Sequence, residues 1–221
     1  MPIWVTCLAL MYRLSGRSGV TDAELIGSMP GDELLPDVAV EWTRGTVVDA
    51  PPERIWPWLV QMGFGRGGWY TSRLFDRLVW RIDNPSSDVL RPEYQHVEVG
   101  DLIPDGPNYE AYFRVAEVNP EKSIVYRSIR HPYRGHPVDP SDLSEVGDLE
   151  SQLVDDGVFL DFTWSWELRA LPGDQTRLLV RTRANYSPKW LVLTEVPLGL
   201  VDFYHVTTMF RGVARRVKAT T

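Results

Sequence analysis

Between Val158 and Leu168 every second side chain is large and apolar. Val158, Leu160, Phe162, Trp164, Trp166 and Leu168 alternate with Asp161, Thr163, Ser165 and Glu167. Successive side chains of a strand point to opposite faces, so this stretch reads as one strand with a single aromatic face that something apolar must cover. A cover is available further on. From Leu191 to Lys218 runs the longest helical pattern of the chain, with Phe203, Val206, Phe210, Val213 and Val217 stepping by three and four.

The residues before that helix read as a meander. Strands are predicted over Val97 to Ile103, Tyr109 to Val118, Ser123 to Arg130, Val158 to Leu171 and Thr176 to Tyr186. Asn119-Pro120-Glu121-Lys122 and Pro172-Gly173-Asp174-Gln175 supply turn residues between neighbours. An earlier strand, Val38 to Val48, carries Val38, Val40, Trp42, Thr46 and Val48 on one face and stops at Asp49-Ala50-Pro51-Pro52. A helix should open at Pro52, with Ile55, Trp56, Leu59, Val60 and Met62 at helical spacing until Gly63. A second amphipathic helix is predicted over Trp69 to Trp80, with Tyr70, Leu74, Phe75 and Leu78 on its apolar side.

Strand, two helices, antiparallel strands and a long last helix make an α+β chain, without the strand-helix alternation of a parallel sheet. The expected fold is a helix grip, a curved antiparallel sheet wrapped around the C-terminal helix. Such a sheet cannot press its whole concave face onto one helix, so an internal cavity should remain. Residues 1–37 read as an N-terminal helix and connector, and residues 38–221 as the ligand-binding domain. The apolar run Ile3 to Tyr12 is too short to span a bilayer and is read as a capping helix, with peripheral membrane contact as the alternative.

Composition narrows the function. With 43% hydrophobic and 24% charged residues the chain belongs with ordinary globular domains and not with disordered ones. Its net charge of −7 argues against nucleic acid as a partner. The single cysteine, Cys7, can form neither an internal disulfide nor a thiolate zinc site, which fits a reducing, cytoplasmic setting.

Several motifs compete for a chemical role. Gly63, Gly65 and Gly68 have dinucleotide-loop spacing with Asp83 twenty residues after Gly63, but a helical repeat precedes them where a buried strand is required. A plain interhelical turn is the better reading, with Arg66 near a cavity mouth as the functional one. His131 and His136 in HPYRGHP could begin a metal site, yet the prolines around them favour a solvated loop. The stretch from His131 to Gly157 holds Asp139, Asp142, Glu145, Asp148, Glu150, Asp155 and Asp156 against the single Arg134. It reads as a solvated, disordered insertion, with a lid over the pocket as the alternative. Asp202 and His205 are spaced to pair on the last helix, but the stripe through Phe203, Val206 and Phe210 turns His205 outward.

Tyr126 shares a face with Ile124 and Ser128, and Tyr186 with Leu178 and Val180, which directs two phenols inward. The expected ligand-binding residues are Trp69, Tyr70, Tyr126, Phe162, Trp164, Tyr186, Phe203 and Phe210, with no metal and no cofactor. The ligand expected is a hydrophobic or aromatic small molecule. The alternative is an enzyme in which Tyr70, Tyr126 or Tyr186 supplies a proton. Neither an integral membrane span nor a particular oligomeric state is indicated.

The segment VVDAPPERIWPWLVQMGFGRGGWY, Val47 to Tyr70, resembles the START-related helix-grip proteins often labelled polyketide cyclase or dehydratase (the SRPBCC superfamily). The segments DNPSSDVLRPEYQHVEVGD and TWSWEL and the last helix support the likeness over roughly Val38 to Lys218. The resemblance implies the helix-grip fold and an internal pocket for a hydrophobic or aromatic small molecule. It implies no particular reaction, since fold alone does not carry function.

Overall fold

In the computed structural model the described residues are 15–82, 86–140 and 142–220, and the side chains of residues 75, 79, 80 and 192–198 are left aside. The expected capping helix Ile3 to Tyr12, Cys7 and Asp83 lie outside the described residues. A short helix α1 (Asp22–Ile26) leads into β1 (Val40–Val48), α2 (Pro52–Val60), β2 (Leu102–Pro104), β3 (Tyr112–Asn119) and β4 (Ser123–Arg130). Then follow α3 (Glu145–Asp156), β5 (Phe159–Leu171), β6 (Gln175–Ser187) and α4 (Glu195–Ala219).

The strands form one antiparallel sheet in the order β1-β6-β5-β4-β3-β2, and α4 lies along its concave face. This is the α+β helix grip. Register explains why the alternation in β5 mattered. Trp164 stands opposite Tyr126 on β4 and Thr182 on β6, and Trp166 opposite Ile124 and Val180. Directly opposed side chains share a face, so these residues form continuous inward rows. Val206, Met209, Phe210, Val213 and Val217 of α4 are buried with them, and the Trp166 and Phe210 rings meet edge to face at 6.0 Å. Gly212 brings α4 against the Tyr70 backbone, because a Cβ there would collide with the Tyr70 carbonyl oxygen.

Both ends of the convex face are covered. Arg181 of β6 points outward, is almost fully buried, and donates to Thr43 Oγ1, to Asp32 and to the carbonyls of Glu24, Leu25 and Gly27. Arg177 adds two bonds to Glu24, whose carboxyl that guanidinium holds down to about 2. The connector is thereby fastened to the sheet.

The acidic stretch is neither disordered nor a lid. It contains α3, which packs on the convex side of β3 and β4 through Val146, Leu153, Tyr112 and Val138, with Arg114 bonded to Glu150. Charge density had hidden two buried apolar positions spaced for a helix. The predicted helix Trp69 to Trp80 is also corrected. Only a helical turn at Arg73–Phe75 and a wider turn at Asp76–Trp80 form, Tyr70 sits at φ 59 before them, and Leu74 and Leu78 face solvent. The tight Gly63–Gly68 turn and the φ of Tyr70 re-aim the chain before a helix can start.

Candidate functional site

The concave face is largely filled by its own rings. Trp69, Phe113, Tyr126, Phe162 and Trp164 form a mutually contacting set, with Trp164 5.6 Å from Trp69, 5.6 Å from Phe113 and 6.3 Å from Tyr126, centroid to centroid. Aromatic side chains at these separations and tilts pack as in any core. Open space begins at the mouth of the grip. There a cavity of about 240 Å³ lies between Trp69, Ile82, the Asp105–Ala111 turn and His205.

Each wall of that cavity has a local cause. Trp69 is held by its indole N–H, which donates to the Asp105 carbonyl at 2.9 Å. The Asp105 carboxylate accepts from Arg130 at 2.5 Å, and the Arg130 guanidinium lies over the Phe113 and Phe162 rings at 5.0 and 4.9 Å. Cation–ring attraction and the ion pair together fix this cation beneath the mouth. Arg130 belongs to the inward parity of β4, after Ile124, Tyr126 and Ser128, so the sequence carried the signal and charge alone argued against it.

His205 corrects the sequence reading most plainly. It faces the cavity, with its ring 6.3 Å from Trp164, and its Nε2 is withdrawn from solvent. Burial pushes its imidazole below the ordinary histidine value; Asp202, Asp105 and Asp76 oppose that shift, and Arg44 adds to it. Asp202 spends its carboxylate on Arg44, at 2.5 Å. Arg44 is fully buried on the inward face of β1, bonded also to the Ser15 carbonyl and stacked between Trp42 and Phe203. The inward set Val40, Trp42, Thr46 and Val48 passed over it because it is charged.

A depressed imidazole has a definite consequence for stability. Below the unfolded-state value near 6.5 the unfolded chain takes up a proton that the folded chain resists, so stability is fully present above that pH and is lost as pH falls through the folded value. Thermal melts of the wild type and His205→Asn over pH 7 to 5 should diverge, with the wild type losing more stability on acidification. Parallel curves would remove His205 as the buried titrating group. Asp76, in the same region with Thr71 bonded to its carboxylate, is pushed up by burial, has the opposite sign and interacts with His205, so the same pair of melts in an Asp76→Asn background isolates the imidazole.

The remaining candidates are distributed. Tyr70 donates its hydroxyl to the Trp58 carbonyl at 2.8 Å and lies under the Arg216 guanidinium. Tyr126 is enclosed beside Trp164, where burial pushes its phenol up. Tyr186 packs in a second cluster with Val40, Trp42, Ala184 and Leu191. Phe210 borders a separate groove with Arg44, Thr207 and Arg211 between β1 and α4. Of the eight expected residues, Trp69 lines the cavity; Phe162 and Trp164 support it from behind.

Across Trp69 lies a more polar groove of about 440 Å³, lined in part by Arg66, Asp76, Ser86, Arg91 and Tyr94. The Gly63–Gly68 turn beside it closes on itself, with Gly63 and Gly68 exchanging backbone bonds, and Arg66 donates to the Val60 and Tyr94 carbonyls. His131 Nδ1 accepts from the Tyr133 and Arg134 amides. Among the described residues no group of three or more His, Cys, Asp or Glu side chains is placed to hold a metal, and no helix is long and apolar enough to cross a membrane.

No family model matches the sequence, and no curated protein matches it. Solved structures do. Hypothetical protein jhp0584 from Helicobacter pylori is 12% identical over 85% of this chain and 94% of its own, with a TM-score of 0.46. Protein MLL2253 from Mesorhizobium loti is 14% identical over 82% and 99%, with a TM-score of 0.43. CalU16 from Micromonospora echinospora is 16% identical over 81% and 84%, with a TM-score of 0.34. At such identities and TM-scores these likenesses carry no argument about what the chain does.

Proposed function

We propose that this protein binds a compact aromatic or apolar small molecule in the cavity between Trp69 and His205, within the unit of residues 38–221. One observation carries the reading: a space of about 240 Å³ with an aromatic wall at Trp69 and a polar rim at His205 and Asp105. Pockets that orient a ligand combine apolar walls with a few placed polar groups, and those for drug-sized ligands start near 300 Å³, so a small ligand with one polar substituent suits this one. The family resemblance of Val47 to Tyr70 to START-related helix-grip proteins supports the same reading.

A second reading is an enzyme of the polyketide cyclase or dehydratase type. Its specific support is His205, an imidazole that stands at the cavity wall, where a bound molecule would meet it as a proton acceptor. The Tyr70 hydroxyl, committed to Trp58, is the least suited donor. Mass spectrometry of small molecules released from natively purified protein tests the binding reading. A compact aromatic or alicyclic compound should be recovered from the wild type and be depleted at least tenfold in Trp69→Ala, a loss of about 1.4 kcal/mol. Equal recovery from both proteins would move the site elsewhere.

A further inference from the structure

Beside the cavity mouth the surface is apolar and basic at once. Leu74 and Leu78 are 68% and 70% exposed. Val201 and Tyr204 stand three apart on α4 and are also exposed, and the Tyr204 hydroxyl meets Ser72 Oγ at 3.3 Å, which ties α4 to the turns carrying the two leucines. Arg81 and Ile82, which end those turns, line the cavity. Lone exposed leucines are ordinary on a protein surface, whereas several around one opening mark an interaction surface.

Charge says what kind of surface meets it. Arg73, Arg77 and Arg81 alternate with the leucines. Among the described residues, Asp76 is buried against Thr71, Asp202 holds Arg44, and Asp88, 3.7 Å from Arg73, is shared with Arg215 and Arg216, while the exposed Glu110 lies on the far wall of the cavity with the Asp105–Ala111 turn. On a chain of net charge −7 this is a local basic patch bearing leucine and tyrosine. That combination suits the boundary of an anionic bilayer, where arginine meets headgroups, tyrosine sits at the interface, and leucine enters the acyl layer.

We propose that this face docks the protein peripherally on anionic lipid membranes, with the cavity mouth turned toward the bilayer. The surface stands independently of which ligand the cavity holds. Co-sedimentation with phosphatidylcholine vesicles containing about a third phosphatidylserine is the test. The wild type should bind these vesicles, and release on raising salt should follow screening of the basic residues. Leu74→Glu/Leu78→Glu should weaken binding at least tenfold and Arg77→Gln about fivefold, while both variants keep the wild-type melting temperature because the replaced side chains are exposed. The proposal is overturned if the wild type stays in the supernatant, if the leucine variant binds as well as the wild type, or if the patch instead mediates a concentration-dependent dimer that the leucine variant abolishes.

Discussion

Arg181→Met should lower the melting midpoint by roughly 10 °C, more than any exposed substitution in the chain. The side chain is 3% exposed, lies on the outer face of β6 and serves five acceptors at once. Methionine keeps the packing volume but strands three carbonyls and leaves Asp32 facing the sheet without its main partner. Removing one member of a buried pair costs about 3 to 5 kcal/mol, and for a chain of this size each kcal/mol moves the midpoint by about 2 to 4 °C. Arg181→Lys should recover little, because an ammonium cannot match the fork geometry. Limited proteolysis adds a local readout: in Arg181→Met, cleavage should concentrate within residues 22–35. A midpoint within 2 °C of wild type would show that the connector is not fastened by this residue.

Trp164→Ala should be of similar size, about 4 kcal/mol, for an unrelated reason. Trp164 touches Trp69, Phe113, Tyr126, Trp166 and His205, so its loss opens a void under the cavity wall and not merely at one contact. Trp164→Phe should cost less than half as much, since the ring is kept and the indole N–H finds no acceptor among the described residues. Urea denaturation followed by far-UV circular dichroism measures both. Equal losses in the two variants would mean that the indole N–H, and not ring volume, stabilises the core.

Much of the architecture was readable because β5, β4 and β6 carry their patterns locally. The strand Ser123–Arg130 has the predicted bounds, and the inward parity of Phe162, Trp164 and Trp166 follows from period two alone. What escaped was decided by distant parts of the chain. His205 lies beside the buried stripe of α4, and whether that flank is wet depends on the Asp105–Ala111 turn and Ile82, nearly a hundred or more residues away. Arg44 and Arg130 occupy inward parities, but a charged residue is acceptable there only when a carboxylate arrives from another element, Asp202 for one and Asp105 for the other. Leu74 and Leu78 had the spacing of a buried helical face, yet among the described residues no element covers them, which periodicity cannot report.

The cavity between Trp69 and His205 is the proposed ligand site. The most direct test is a titration of isotope-labelled protein with a panel of compact aromatic and alicyclic probes, followed by NMR at the Trp69 indole N–H and the His205 imidazole. Trp69 donates to the Asp105 carbonyl at the cavity wall, so its indole signal reports occupancy without any change in fold. The predicted result is a saturable shift of both signals by at least one probe, with the Tyr186 cluster unmoved. Saturable binding that perturbs Tyr186 or the Arg44 groove while leaving Trp69 and His205 unchanged would contradict the account.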